Sequence, residues 1–267
     1  MKIAAILTAT ALSALVANAS PDTEVHAVAR SGALGPARAP QDEPTAYDAR
    51  FTFVRLRYAM SADPQFGMRG GGRFNDDPPW HHDFPRAERN LMHIIAEVTT
   101  VEPFKDGSRI IDIGDPELFK YPVAYMSEPG FWTMNDQEAE NLRNYLAKGG
   151  FMIFDDFGGR HWANLATQMA RLLPRGRWLQ MDASHPIFHV FFDINSLDNV
   201  RPSYRGQPVF FGMFEDNDPK KRLLAIANYN NDIGEDWEFS DTGFVPVDNE
   251  NESYKFGINY MIYGLTH

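Results

Sequence analysis

The sequence has 267 residues, carries a formal net charge of −11 and contains no cysteine. A chain of this length suits one fairly large α/β domain that buries its core without disulfides. The lack of thiols excludes cysteine nucleophiles and cysteine-ligated metals, and the acidic balance argues against nucleic acid and anionic membrane surfaces as partners.

The first residues have the pattern of a secretory signal peptide. Lys2 precedes an apolar run over residues 3–16, and the run is followed by Ala17-Asn18-Ala19. This run is shorter than the about 20 residues that a bilayer-spanning helix needs. We therefore predict cleavage after Ala19, a periplasmic or secreted mature protein, and no transmembrane span after cleavage.

After a predicted disordered tether at 20–49, strands and helices alternate through a single domain at 50–267. The predicted elements are, in chain order, a strand at 51–58, a helix with its N-cap at Asp83 and apolar positions up to Val98, a strand at 122–126, a helix opened by the capping-box pair Asn135 and Glu138 and ended at Gly149, a strand at 151–154, a helix at 162–173, strands at 209–211 and 223–227, and a helix at 254–265. This alternation predicts a doubly wound, mostly parallel sheet with helices on both faces.

Two carboxylates, Asp155 and Asp156, directly follow the central strand, and Gly158 and Gly159 open the next helix. Ligands of open α/β sheets bind outside the carboxyl ends of the strands, so these four residues are candidates for ligand binding. Adjacent strand residues point to opposite faces, so the two carboxylates are not expected to share a proton. For Asp156 two roles stay open: a metal ligand or general base, or a helix N-cap paired with an arginine.

Polar residues after the late strand and a histidine before a proline are further candidates. Asn228, Asn231 and Asp232 are expected at the same crevice as Asp156, although these residue types are also ordinary in turns. His185 is either a base or metal ligand, or a hydrogen-bonded loop histidine.

Residues 50–90 form a locally basic stretch with seven arginines against five acids, and within it Arg69 and Arg73 lie on either side of three glycines. These arginines either hold a phosphate or carboxylate group, or pair with nearby aspartates at the surface. His81-His82-Asp83 is a weaker metal candidate, because neighbouring histidines seldom ligate one metal together and Asp83 has a predicted role as a cap.

Several short stretches occur together in this sequence: Phe53-Val54-Arg55-Leu56-Arg57-Tyr58, Trp80 with Asp83 and Pro85, Tyr145-Leu146 with Gly149-Gly150-Phe151, Asp155-Asp156-Phe157, His185-Pro186 and Asn230-Asn231-Asp232. As a set, over about residues 50–266, they resemble a bacterial family named domain of unknown function 4159. The element order around 121–159 also resembles class I glutamine amidotransferase-like domains, especially their trehalose-utilisation (ThuA-like) branch. That second resemblance implies a flavodoxin-like sheet.

The likeness to amidotransferases breaks down at the turn after the central strand. In those enzymes the turn is Gly-x-Cys-x-Gly, whereas Asp156 stands at the cysteine position here. A carboxylate cannot replace a thiolate nucleophile without different chemistry, so we expect no glutaminase activity.

The sequence thus favours a binding or accessory module of the cell envelope with a polar crevice around Asp155 and Asp156. Envelope proteins or a carbohydrate-type ligand are its expected partners. One alternative is a hydrolase or sugar-processing enzyme that uses Asp156 and His185, with a divalent metal as its cofactor. The other is a protein-interaction scaffold that acts through the 59–82 loop.

Overall fold

The computed structural model describes residues 49–61, 78–105 and 107–267, which belong to one compact unit. The predicted signal peptide, almost all of the predicted tether, and Arg69 and Arg73 lie outside these ranges. The described elements are β1 (Val54–Arg57), β2 (Ala59–Met60), α1 (Arg86–Val98), β3 (Arg109–Asp112), β4 (Val123–Ser127), β5 (Trp132–Thr133), α2 (Asp136–Ala147), β6 (Phe151–Phe157), α3 (His161–Leu172), β7 (Trp178–Gln180), β8 (Val209–Phe214), β9 (Leu223–Tyr229), α4 (Ile233–Glu238) and α5 (Val247–Thr266).

Seven of these strands form one sheet in the order β3-β1-β4-β6-β9-β8-β7. The five strands from β3 to β9 run parallel, and β8 and β7 extend the sheet in antiparallel fashion. The parallel part has the flavodoxin-like order. The chain first adds β3 on one side of β1 and then adds β4, β6 and β9 on its other side, so the switch point lies between β1 and β4. The doubly wound, mostly parallel fold expected from the sequence is therefore confirmed.

Two separate hydrophobic cores cover the two faces of the sheet. One core contains the apolar faces of α2 and α3, including Leu142 and Leu165. The other contains those of α1, α4 and α5, including Leu91, Trp237 and Phe256. Strands that are covered on both faces have continuous apolar sequences. For this reason the strands at 151–154 and 223–227 could be predicted from the sequence. Among the described helices, none has the length and apolar character needed to cross a bilayer.

Some of the predicted helix ends are confirmed and others are wrong. The capping box of Asn135 and Glu138 forms as expected, and Gly149 has the positive φ (109°) that ends α2. Asp83, however, is not the N-cap of α1, which has Pro85 at that position and no side-chain cap. The Asp83 backbone is left-handed (φ 64°) and directs its carboxylate toward the sheet. The last helix also begins seven residues earlier than predicted, at Val247 instead of Tyr254.

Candidate metal centre

Polar side chains from five parts of the chain meet at the carboxyl ends of the inner parallel strands. Asp155 and Asp156 lie at the end of β6, Glu128 follows β4, and Asp232 follows β9. The loop before α1 contributes His82 and Asp83, and the loop before β8 contributes Tyr204. This is the edge of the sheet at which open α/β folds bind their ligands.

Asp156 is at the centre of this group. Its side chain is almost fully buried, and His82 Nδ1 lies 2.8 Å from its Oδ2 atom. The hydroxyl of Tyr204 donates a hydrogen bond of 2.6 Å to its Oδ1 atom. Asp156 is not a cap of α3, because the N-cap position belongs to Arg160 and carries no side-chain hydrogen bond. Of its two predicted roles, the structural one is therefore not observed.

Four residues, His82, Asp83, Asp156 and Asp232, each offer one ligand atom within 4.8 Å of all the others. The three carboxylates are buried, and only His82 is partly open to solvent. Atoms bound to one Zn²⁺ or Mn²⁺ at about 2.0–2.2 Å would lie about 3–4.4 Å from one another, so the group would hold a single cation after closing by up to about 0.4 Å.

Asp83 is the member of the group that most clearly lacks a protein partner. Its side chain is fully buried, and neither carboxylate oxygen accepts a hydrogen bond within the described chain. Oδ1 lies 3.3 Å from His82 Nδ1, which is an ionic contact only. An unpartnered buried carboxylate is costly, so the chemistry of the group favours a cation at this place.

Burial and repulsion by neighbouring carboxylates raise the pKa values of three acids in this region. The pKa values of Asp83 and Asp232 lie well above their usual range, mainly because of desolvation, and the pKa of Glu128 is raised to about 8 by burial and then by Asp156. The hydrogen bond to Asp156 raises the pKa of His82 to about 10, against the effect of desolvation. His82 is therefore the positive charge that faces this acidic group, and it would have to release its proton to become a ligand.

The backbone at this edge is held in a conformation that ordinary residues rarely adopt. Asp83, Glu128, Asp156 and Asn230 all have positive φ values, of 64°, 47°, 58° and 61°. Each such residue costs of order 1–3 kcal/mol, and such positions cluster at functional sites. The four strained residues come from four separate segments and meet at one place, which makes that place the candidate functional edge.

Asp155 has a different role from Asp156. It accepts hydrogen bonds from Tyr125 (2.9 Å), the Gly234 backbone (3.0 Å) and Asn228 (2.9 Å). Complete burial raises its pKa to about 7 although these donors oppose the shift. Asp155 thus ties β4, β6, β9 and α4 together beneath the cation group.

A buried arginine fixes the loop that carries His82. Arg55 on β1 is fully buried and forms an ion pair with Glu88 of α1. Its Nη1 donates to the backbone oxygens of Trp80 (3.0 Å) and His82 (2.7 Å). Its guanidinium lies 5.0 Å from the centre of the Tyr125 ring. Arg55 therefore connects the loop to the hydrogen-bond network of Asp155.

The other predicted ligand residues on this edge have structural contacts. Asn228 bonds to Asp155 and accepts from Tyr260, and Asn231 accepts from the backbone N–H of Asp232. A side chain at Gly158 would collide with Tyr204, so this glycine permits the close approach of the tyrosine. Gly159 has a positive φ of 55° before α3.

The expected pairing of Asp156 with His185 is not formed, and this part of the sequence interpretation needs correction. The His185 ring packs against Phe214 and Tyr263, with ring centres 5.3 and 6.2 Å apart. Phe214 pairs with Leu223 at the amino end of β9, whereas Asp156 lies at the carboxyl end of β6. His185 caps the short 3₁₀ helix that follows it, because its Nδ1 accepts from the Ile187 N–H.

Sequence reasoning missed Glu128 and Tyr204 and undervalued His82. Glu128 directly follows a buried strand, so the rule that identified Asp155 and Asp156 could have identified it as well. Tyr204 lies in a long loop without periodicity and gave no signal. His82 was undervalued because two adjacent histidines were treated as one ligand pair, whereas His82 alone joins the group.

Comparison with known sequences agrees with the resemblance found in the motifs. The profile of a family described as a domain of unknown function, DUF4159, matches residues 52–265. No curated protein sequence matches the chain significantly. The matched part covers the whole described sheet and every residue of the cation group, and the chain belongs to the DUF4159 family.

Proposed function

We propose that this chain is a divalent-cation-binding module, with the cation held by His82, Asp83, Asp156 and Asp232. The observation that carries the proposal is the buried Asp83 carboxylate, which lacks a hydrogen-bond partner in the described chain and lies within 4.8 Å of three other ligand atoms. The hydrogen bonds from Tyr204 and from the Glu235 backbone to Asp156 and Asp232 would orient these ligands.

The donor atoms indicate which cation the group prefers. Three carboxylates and one imidazole form a mixed oxygen and nitrogen set, which suits Mn²⁺ or Zn²⁺ better than Ca²⁺. Ca²⁺ takes six to eight oxygen ligands, and an imidazole nitrogen is a poor substitute for one of them. We therefore expect Mn²⁺ or Zn²⁺ to bind most tightly and Ca²⁺ most weakly.

Calorimetric titration of chelator-treated protein with these ions and Mg²⁺ tests the proposal. We expect one cation per chain, and a free energy of unfolding raised by about 2.7 kcal/mol at a free cation concentration of 100 times Kd. Asp83→Asn should weaken binding at least 100-fold. Because it removes a buried unpaired charge, it should leave the stability of the cation-free protein unchanged or improved.

The matched control is Asp198→Asn, which removes the same charge from an exposed loop. It should bind the cation as the unaltered protein does. The proposal is wrong if none of the four ions binds, or if Asp83→Asn and Asp198→Asn bind equally well.

Metal-assisted hydrolysis is a second candidate function, favoured by the left-handed conformation of Asp156 between β6 and α3. Strained residues of this kind occur at catalytic positions. Asp156 and His82 would hold a divalent cation, and the bound cation would supply Lewis-acid activation of a water molecule. The test is a panel of nitrophenyl esters, phosphates and glycosides with and without Mn²⁺. Turnover that needs Mn²⁺ and disappears in Asp156→Asn would support this candidate.

We further propose that the module acts in the periplasm or outside the cell, on a carbohydrate-type or protein partner of the envelope. The support is the Lys2 start, the apolar run and Ala17-Asn18-Ala19 in the sequence. N-terminal sequencing of protein from the periplasmic fraction should find Ser20 first. An intact Met1 on protein from the cytoplasmic fraction would contradict export.

A further inference from the structure

A second concave site lies on the opposite face of the sheet from α2 and α3, between α1 and α5. The cavity has a volume of about 670 Å³. Its apolar wall consists of Ile94, Val98, Phe192, Tyr254 and Ile258. Ligand sites are typically mainly apolar cavities of 300–1,000 Å³ with a few placed polar groups, so this cavity has the size of a small-molecule site.

One carboxylate in this cavity lacks a partner. Glu250 on α5 is only 6% exposed, and its Oε1 atom has no hydrogen-bond partner in the part of the chain that the structure describes. Burial raises the pKa of Glu250, with smaller contributions from Asp236 and Asp241. A buried carboxylate gains most from a charged hydrogen-bond donor, and a ligand could supply one here.

The neighbouring cations already have partners of their own. Arg86 pairs with Asp241 at 2.5 Å, and Lys255 pairs with Glu252 at 2.6 Å. His93 lies on the exposed lip of the cavity. The unpaired charge that faces the cavity interior is therefore negative, while the wall around it is mainly apolar.

We propose that this cavity binds a small organic monocation with an apolar body, such as an aromatic or aliphatic amine or amidine. The cationic group would donate to Glu250. The body would pack on Ile94 and Ile258 and on the face of the Tyr254 ring, where a cation or an aromatic group is favoured. This site shares no residue with the cation group around Asp156.

Benzamidine is a suitable probe, with benzyl alcohol and benzoate as its neutral and anionic counterparts. In ¹H–¹⁵N spectra of the full chain, benzamidine should shift signals of His93, Ile94, Tyr254 and Ile258. It should bind at least tenfold more tightly than benzyl alcohol, and benzoate should bind more weakly still. Glu250→Gln should reduce benzamidine affinity at least tenfold, whereas Asp248→Asn, an exposed acid on the same helix, should not.

Three results would overturn the proposal: no binding of benzamidine, equal binding of benzamidine and benzyl alcohol, or shifts that map elsewhere. If Glu250→Gln does not fold, the ranking of the three probes and the shift map on the unaltered protein still decide the matter. Asp156→Asn should retain benzamidine binding, which separates this site from the cation site.

Discussion

Two histidines, His82 and His185, have opposite surroundings in this fold. His82 lies at the carboxyl ends of the parallel strands, where contact with Asp156 raises its pKa to about 10. His185 lies at the other end of the sheet, where desolvation lowers its pKa to about 4. One imidazole faces carboxylates on strained backbone, and the other is packed among aromatic rings.

The comparison shows that the end of the sheet, more than the residue type, decides what a polar side chain can do. At the carboxyl end, several buried polar atoms lack partners within the described chain, including those of Asp83 and Glu128. At the amino end, His185 caps a 3₁₀ helix, and Tyr263 accepts a hydrogen bond from the Leu223 N–H. The carboxyl end therefore has unpartnered charged groups that a ligand could satisfy, whereas His185 at the amino end already has its partner.

The largest predicted effect concerns the arginine that holds His82 in place. Arg55→Met removes one partner of a buried ion pair and leaves Glu88 charged and unpaired, which should lower the free energy of unfolding by about 3–5 kcal/mol. The variant should also lose the two bonds to the loop carbonyls and weaken cation binding. Urea unfolding and calorimetric titration measure the two effects.

Arg57→Met is the matched control for this prediction, because Arg57 lies on the same strand. Its pair with Asp112 is largely exposed, so the change should cost at most about 1 kcal/mol. The double variant Arg55→Met, Glu88→Leu should recover much of the lost stability while its cation affinity stays low. Equal destabilisation by Arg55→Met and Arg57→Met would show that the buried arginine has no special role.

A smaller effect is expected from Tyr204→Phe, which removes the hydrogen bond to Asp156. Loss of a donor to a buried carboxylate should lower the free energy of unfolding by about 1.5 kcal/mol. Cation affinity should fall about tenfold, because the tyrosine orients a ligand without being one. Tyr229→Phe, in the aromatic cluster beside Phe157, is the control and should leave affinity unchanged. Unaltered affinity in Tyr204→Phe would separate Tyr204 from the site.

The smallest effect concerns His185 and appears only on acidification. Its folded-state pKa of about 4 lies below the ordinary 6.5, so the unfolded chain binds the proton first. The stability contribution is therefore complete above pH 6.5 and is lost as the pH falls toward 4. Because the ring is partly exposed, we expect a loss of only about 1 kcal/mol in that interval.

His185→Asn tests this expectation because asparagine can still accept from the Ile187 N–H but does not titrate. Urea unfolding between pH 4 and 7 should show a shallower decline for the variant than for the unaltered protein. Parallel declines would mean that His185 keeps an ordinary pKa in the folded state.

The parts of the fold that local chemistry determines could be predicted from the sequence. The capping box at Asn135, the glycine at 149 and the apolar run of β6 each depend on residues a few positions apart. The position of Asp155 and Asp156 at a strand end also followed from the local pattern. The alternation of side chains along the strand predicted only that the two carboxylates would not share a proton.

Asp156 and Asp232 were expected at one crevice, but the approach of His82 and Asp83 to them could not be predicted, because it depends on tertiary structure. Asp83 matched a capping pattern, but the helix begins at Arg86, and Asp83 turns its side chain toward the sheet. The sequence favours His185 over His82 as the partner of Asp156, yet His82 is the histidine that lies there. The choice between them depends on which end of the sheet each loop reaches, and that depends on strand order.

Strand order also has a consequence for how the protein would acquire the proposed cation. Asp232 follows β9, which inserts between β6 and β8 and is the last strand in the chain. The cation group is thus incomplete in any growing chain that has not yet supplied β9. Contacts between segments so distant in sequence form late and slowly. We therefore expect cation loading to coincide with the end of folding, so that only fully assembled molecules carry the ion.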